Sequence, residues 1–396
     1  MRKTSIRDSI ILQFFIIIMV LLNIYATNNF IEPSLCGRIY YILTPGLFVW
    51  ILLKHYYIPK LYLVICSSLF LVALFQNIAS VESPASINMG VFARITPLLL
   101  LVAILSQDRR LKLIEYFGIA FYILECALSI YEKVNMIHLI DYRLADDMQA
   151  TSAIMEDSSV FRSFSLMFHP LFNANVVTIF LGFILCSKNI NLLLKCFLIA
   201  LGIGALWGFN SRAALIICVI ILIYRFFLYD LKIWKLILSL SLLYILLPLI
   251  YDWLLFSGYL GRLEDFDFTD GSSLTRIEAW NVFFEYKWTL QDILIGGRLL
   301  NYGGFMQNVT LENGLLVDLG YWGIIAGLIK ALGEIIISYS VLHQYTFKDK
   351  MIVMVAMWGV AFMNNNSHEC FLMAMYVLGY LTFVKNSKVI KFRYIK

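Results

Sequence analysis

Charge is the scarce component of this chain. Asp, Glu, Lys and Arg make up 14% of its 396 residues while 61% are hydrophobic, against about 25% charged in soluble domains. That shortage argues against a soluble fold. The formal charge is +5, but the basic residues are spread over many short connections. With no patch among them, nucleic acid is not an expected partner. The seven cysteines (Cys36, Cys66, Cys126, Cys186, Cys196, Cys218 and Cys370) show no CxxC and no Cys/His spacing. Neither a disulfide framework nor a metal site is indicated, and no cofactor is expected. Most cysteines fall in apolar runs, as small packers; only Cys36 is expected in a polar connection. No small-residue cleavage site ends the first apolar run, so it reads as a retained span and not as a signal peptide. No internal repeat is visible, in contrast to transporters built from two related halves.

What the chain has instead is a recurrence of apolar stretches of membrane-crossing length. The expected fold is an all-α integral membrane protein, with residues 1–396 forming a single polytopic domain of about twelve helices. The spans are expected at Ile10–Tyr25, Ile39–Leu53, Leu61–Ala79, Val91–Leu105, Leu113–Tyr131, Leu171–Cys186, Leu192–Trp207, Ala213–Leu228, Leu236–Trp253, Leu315–Ser338, Met351–Met363 and Cys370–Val384. Alternate connections carry the positive charge: Lys54/Lys60, Arg109/Arg110/Lys112, Lys188/Lys195, Lys232/Lys235, Lys348/Lys350 and the tail from Lys385 to Lys396. The positive-inside rule makes these cytoplasmic, and with them both termini. The other connections then face outward, and two are long, 132–170 and 254–313. Loops of that length inside a compact fold are usually functional.

The outward arginines run against the charge bias. In Asn210-Ser211-Arg212, one span arrives and the next begins. Arg212 is therefore expected at a helix N-terminus, where free N–H groups and the dipole favour an anion; a guanidinium adds paired donors for phosphate oxygens. The alternative is an arginine that snorkels to the interface. Thr275-Arg276-Ile277-Glu278 has the form of a capping box, and Ile277, Trp280, Phe284 and Trp288 follow at helical spacing. This predicts a membrane-surface helix with Arg276 near its start, either gripping an anion or standing solvated beside an ordinary cap. Arg298 follows Gly296-Gly297, a close-approach site or a plain turn. Glu312-Asn313 precedes the next span; Glu312 could take a proton from a hydroxyl or pair with an arginine. Arg162 and His169 lie in the other long loop, His169 as an acid–base group or as a packed residue at a helix start. Within spans, Lys330 and Glu334 stand four apart and are expected to pair; Glu125 has no evident partner.

Taken in order, these motifs resemble the O-antigen ligase and polymerase superfamily. Asn-Ser-Arg-Ala-Ala-Leu (210–215) is similar to its Ser-Arg-x-x-x-Leu element. Arg276-x-x-x-Trp280, the Leu-Ile-Gly-Gly turn at 294–297, Asn313 and the Gly-x-x-Gly at 320–323 follow in the family's order. His-Pro-x-x-Asn-x-Asn (169–175) resembles the segment opening the span before the Ser-Arg element. The resemblance covers roughly residues 160–340. It implies a GT-C-like glycosyltransferase of the bacterial inner membrane, its site facing the periplasm, acting on undecaprenyl-diphosphate-linked glycans as donor and acceptor. Its other partners would be membrane lipid and a chain-length regulator protein. Arg212 and Arg276 match the positions thought to hold the donor diphosphate. Glu312 would be the third catalytic residue, and Arg298, Arg162, His169 and Asn313 would bind substrate. Ligases usually have His-Asn where this chain has Glu312-Asn313, which favours the polymerase branch. A ligase passing polymer to lipid A-core, and a lipid-linked oligosaccharide flippase, are the alternatives.

Overall fold

The computed structural model describes residues 6–27, 33–53, 60–79, 112–139, 161–167, 169–188, 190–229, 241, 271–294, 313–363 and 371–383. All regular structure among them is helical: α1 (Ile6–Thr27), α2 (Pro33–Leu53), α3 (Lys60–Ala79), α4 (Lys112–Asn135), α5 (Pro170–Cys186), α6 (Leu192–Phe209), α7 (Arg212–Ile223), α8 (Gly271–Glu285), α9 (Leu290–Leu294), α10 (Gly314–Trp322), α11 (Ile324–Val341), α12 (Phe347–Met363) and α13 (Phe371–Phe383). α7 runs on into a π-helical turn, Tyr224–Leu228. Helix is present at each expected span position that these residues cover; Val91–Leu105 and, apart from Ser241, Leu236–Trp253 lie outside them. α4, α6 and α11 are long and apolar enough to cross a membrane, and Ile10–Ile24, Pro170–Cys186 and Leu372–Phe383 are shorter apolar helices. α2 starts at Pro33, ahead of the expected Ile39, and takes Cys36 into a helix.

α5 is the axis of the bundle. Its sequence is apolar on every side, and such a helix belongs in the interior. Every residue from Asn173 to Cys186 is buried, against α4, α6, α7, α12 and α13. Small residues bring the backbones close, as between membrane helices generally. A Cβ added to Gly182 would stand 2.7 Å from that of Ala356 on α12. Phe180 stacks on Tyr122 of α4 at 5.6 Å and meets Phe383 of α13 edge-on at 5.7 Å.

The helices alternate in direction, so the bundle has two distinct ends. At one, Cys186 Sγ donates to Asp349 O at 3.5 Å, Ser187 Oγ donates to Phe383 O at 2.8 Å, and Arg225 pairs with Asp349 at 3.5 Å. Lys195 Nζ donates to Leu185 O and Ser187 O, both at 2.9 Å, closing the C-terminus of α5. Cations suit a helix C-terminus, where carbonyls lack partners. The opposite end gathers the C-termini of α4 and α6 and the N-termini of α5 and α7, and is called here the His169 end.

The expected continuous helix Leu315–Ser338 is broken. Gly323 takes φ 86°, ψ 156°, a conformation that glycine adopts without a Cβ penalty. The chain then folds back: an added Cβ on Gly327 would stand 2.6 Å from Asp318 O, and Lys330 pairs with Asp318. Lys330 therefore finds a counter-charge across the break, at Asp318, which its spacing from Glu334 does not predict. Asp318, Lys330 and Glu334 are all buried.

Close helix approach makes glycine positions unequal. Gly182→Val should cost about 1–3 kcal/mol through overpacking, read as a lower thermal midpoint in detergent. Gly46, with nothing within 4 Å of an added Cβ, should accept Ala with no loss.

Candidate functional site

The His169 end is organised by one carboxylate. Glu132, expected to open a solvated loop, lies in the last turn of α4 and is buried. Its Oε2 accepts from Ser163 Oγ at 2.6 Å, Phe164 N at 2.8 Å and Ser165 N at 3.0 Å, and its Oε1 accepts from Leu139 N at 3.1 Å. Segment 161–167 is thus a strap of non-helical backbone inside the bundle, held by a side chain that answers its N–H groups. The next residue, Lys133, donates to Phe161 O at 2.8 Å and lies over the rings of Phe161 and Trp207. Seven residues earlier on α4, Glu125 accepts from Leu166 N at 3.3 Å, and Ser165 Oγ donates to its carbonyl at 2.9 Å. From α5, Asn173 accepts from Met167 N at 2.9 Å and donates to Phe164 O. His138 lies between the rings of Phe161 and Phe164, with centroids at 4.8 and 4.3 Å, and is 3.8 Å from Glu132. Ser165 is held at φ 42°, a left-handed conformation that a non-glycine residue keeps only when its surroundings enforce it.

The strap sets Arg162. Its neighbours Phe161 and Ser163 are buried while Arg162 is partly exposed, as extended backbone alternates its side chains. Ser163 N donates to Gly208 O at 3.0 Å, which joins the strap to the end of α6. From there the turn to α7 is short. Asn210 closes α6 in the left-handed region, φ 50°, ψ 44°, and Ser211 caps α7. Arg212 is the first residue of α7 and partly buried. His169 is the N-cap of the adjacent α5: its Nδ1 accepts from Leu171 N at 3.3 Å and its ring rests on Phe172 at 4.6 Å. A ring whose Nδ1 accepts carries its proton on Nε2, and protonating Nδ1 would cost the cap. Arg162, His169 and Arg212 therefore share one end of the bundle, with the N-termini of α5 and α7. Two arginines and two helix N-termini suit an anion with several oxygens.

The other expected residues lie elsewhere. Arg276 is in the second turn of α8, which begins at Gly271, so Thr275 is not its cap. A Thr-x-x-Glu pattern fits helix interiors as well as starts, and α8 simply begins earlier. The reciprocal caps are at Thr289/Asp292 and Thr346/Asp349: Asp292 N donates to Thr289 Oγ1 and Asp349 N to Thr346 Oγ1, both at 3.2 Å. Asn313 caps α10, its Oδ1 accepting from Leu315 N at 3.1 Å and Leu316 N at 3.2 Å, so that oxygen is committed to structure. α8 packs on α10 through a small cluster of Ala279, Leu316 and Val317. Arg298 and Glu312 lie outside the described residues. Among the described residues no group of three or more His, Cys, Asp or Glu could hold a metal ion. The sequence reading missed Glu132 and Lys133, and held Asn173 only as part of the 169–175 motif. Their signal was polar residues seated in or at the edge of apolar runs, at positions that face a neighbouring segment.

The chain matches no known family profile, no curated protein and no solved structure.

Two outcomes follow from this geometry. Glu132→Ala strands four hydrogen-bond donors and should destabilise by more than about 2 kcal/mol, with faster amide exchange localised to 161–167. Nitrogen NMR of labelled histidine, assigned with His169→Asn, should show His169 as the Nε2–H form at neutral pH.

Proposed function

We propose that this protein is a multi-pass glycosyltransferase of the bacterial inner membrane, GT-C-like and with about twelve spans. On this reading it polymerises undecaprenyl-diphosphate-linked oligosaccharide repeat units into O-antigen or a related surface polysaccharide. The observation that supports it is that Arg162, His169 and Arg212 share one end of the bundle with two helix N-termini, opposite the end that holds Lys195, Arg225 and Lys348. By the positive-inside rule the lysine-rich end is cytoplasmic, so the arginine pair faces the periplasm. Arginine on the side disfavoured for positive charge suits an anionic ligand, and the diphosphate of a lipid carrier lies at that depth. The order of the Asn-Ser-Arg, Arg-x-x-x-Trp and Gly-x-x-Gly motifs supports the same class. The solid apolar packing around α5 favours an enzyme over a conduit.

In the reaction, an acceptor hydroxyl attacks the anomeric carbon of the donor's reducing-end sugar. The bond from that carbon to the diphosphate oxygen breaks, and undecaprenyl diphosphate leaves with the bonding pair. Arg212 and Arg162 stabilise the charge that develops on the leaving oxygens. Neutral His169 offers an Nε2–H to the same group. Arg276, carried by α8, is the second arginine expected to hold the diphosphate. The hydroxyl proton passes to a carboxylate, for which Glu312, next to the Asn313 cap, is the candidate. Arg298, on the same loop, contacts the substrate.

Arg212→Ala should lower the rate about 10²–10³-fold, the scale of losing one donor to a developing oxyanion, with Arg212→Lys intermediate. The measurement is glycan chain length at the cell surface, and polymer formed by purified protein from lipid-linked units. Long chains persisting in both Arg212→Ala and Arg276→Ala would overturn the diphosphate grip.

A further inference from the structure

α8 and the turn that follows it carry five aromatic rings in one continuous plate. Trp280 stacks on Phe284 at 5.9 Å, Phe284 meets Phe283 edge-on at 5.6 Å, Phe283 contacts Trp288 at 4.9 Å, and Trp288 meets Tyr286 at 5.0 Å. One side is seated on α10 through Ala279, Leu316 and Val317. The other is open, with Phe284 77% exposed. The sequence reading takes these rings as a membrane-surface anchor, and two observations speak against that. Interfacial tryptophan and tyrosine keep the apolar ring in lipid and the polar tip among headgroups. Here Trp288 Nε1 donates to Phe283 O at 3.1 Å and Tyr286 OH donates to Asp292 Oδ2 at 3.2 Å; both tips hold the plate together. Burial, and then the facing Asp292 carboxylate, push the Tyr286 phenol above its ordinary value, which keeps its proton in that bond. Secondly, the exposed polar neighbours include Glu278 and Glu285, with Lys287 the only cation from 277 to 294. Carboxylates at the surface of an anionic bilayer are repelled, whereas carboxylates beside an aromatic face accept hydrogen bonds from hydroxyls.

We propose that this plate is a saccharide-binding shelf, on which the apolar C–H face of a pyranose ring lies against Phe284 and Trp280 while Glu278 and Glu285 accept from its hydroxyls. The inference deepens the proposed function and rests on it for the identity of the sugar: the shelf holds the glycan part of a lipid-linked unit, away from the diphosphate at Arg212. Locked rings lose little freedom when a ligand arrives, so the contact favours binding without an ordering cost.

The test uses the full chain in nanodiscs and follows amide exchange over 277–294. The probes are tetrasaccharides of glucose, N-acetylglucosamine and rhamnose, with discs of zwitterionic or anionic phospholipid as the second variable. At least one tetrasaccharide should slow exchange. Phe284→Ala should weaken that effect about tenfold, the scale of a well-made aromatic contact, and Phe284→Trp should restore it. Protection that follows the lipid and ignores every saccharide would overturn the shelf in favour of an anchor, as would equal binding by Phe284→Ala. This readout needs no turnover, so it separates from the diphosphate reading. If Arg212→Ala and Arg276→Ala both leave chain growth intact while saccharide protection persists, the diphosphate grip falls and the shelf stands. If Arg212→Ala stops chain growth and no saccharide protects, the shelf alone falls.

Discussion

A backbone N–H or C=O that leaves a helix inside an apolar bundle has to find another partner, and the buried polar residues around segment 161–167 meet that need. An unpaired buried group costs on the order of 1–3 kcal/mol, and in hydrocarbon no water repairs it. Segment 161–167 would be untenable among α4, α5 and α6 but for Glu132, Glu125, Asn173 and Lys133, which together answer N–H groups of Phe164, Ser165, Leu166 and Met167 and the carbonyls of Phe161 and Phe164. The charge on Glu132 is tolerable for the same reason: it is spread over Ser163 Oγ and three backbone amides. Function enters as a by-product of this solution. The strap that satisfies its own backbone also carries Arg162 to the edge of α6, beside the turn that begins α7.

A second polar construction supports the outer loop. α8 rests on α10, and α10 is tied to α11 by the Asp318–Lys330 pair across Gly323. The pair is a costly way to join two helices, since both charges are withdrawn from water. It does what an apolar contact would not, because it fixes one register for the fold-back. The aromatic plate therefore reaches the bundle through a small apolar cluster, the packing of α9 on α11 and one ion pair, whereas the strap is built into the main core.

The helical frame was largely legible. The apolar runs placed most of the described long helices, because they act along the chain and need no knowledge of neighbours, although α2 begins well ahead of its expected start and the run 315–338 is broken at Gly323. Arg212 at the first position of α7 was legible for the same reason: Asn210 and Ser211 are local punctuation. What escaped depended on contacts across the fold. Nothing near Glu132 in sequence reveals that its acceptors' partners lie some thirty residues on, at Ser163 to Ser165. Lys330 and Glu334 have the spacing of a helical pair, but Gly323 turns Asp318 toward Lys330 first. The Thr-x-x-acid pattern recurs at 275, 289 and 346, and only the latter two begin helices; a four-residue motif cannot say where a helix has already started.

The two ends of the bundle explain why arginine, and not lysine, marks the proposed site. Lysines in this structure are used where a single point donor suffices: Lys195 on the carbonyls closing α5, Lys133 on Phe161 O, and Lys348 on Tyr229 O. Each ends a run of backbone and leaves little charge for anything else. Arg162 and Arg212 are partly exposed at the rim of the opposite end, on segments whose conformation is fixed by other residues. A planar fork held at a fixed angle can meet two oxygens of one phosphate, which a flexible ammonium does not specify. The buried carboxylates and amides at that end spend their hydrogen bonds on backbone, while Arg162 and Arg212 stay partly exposed on the segments those bonds hold in place.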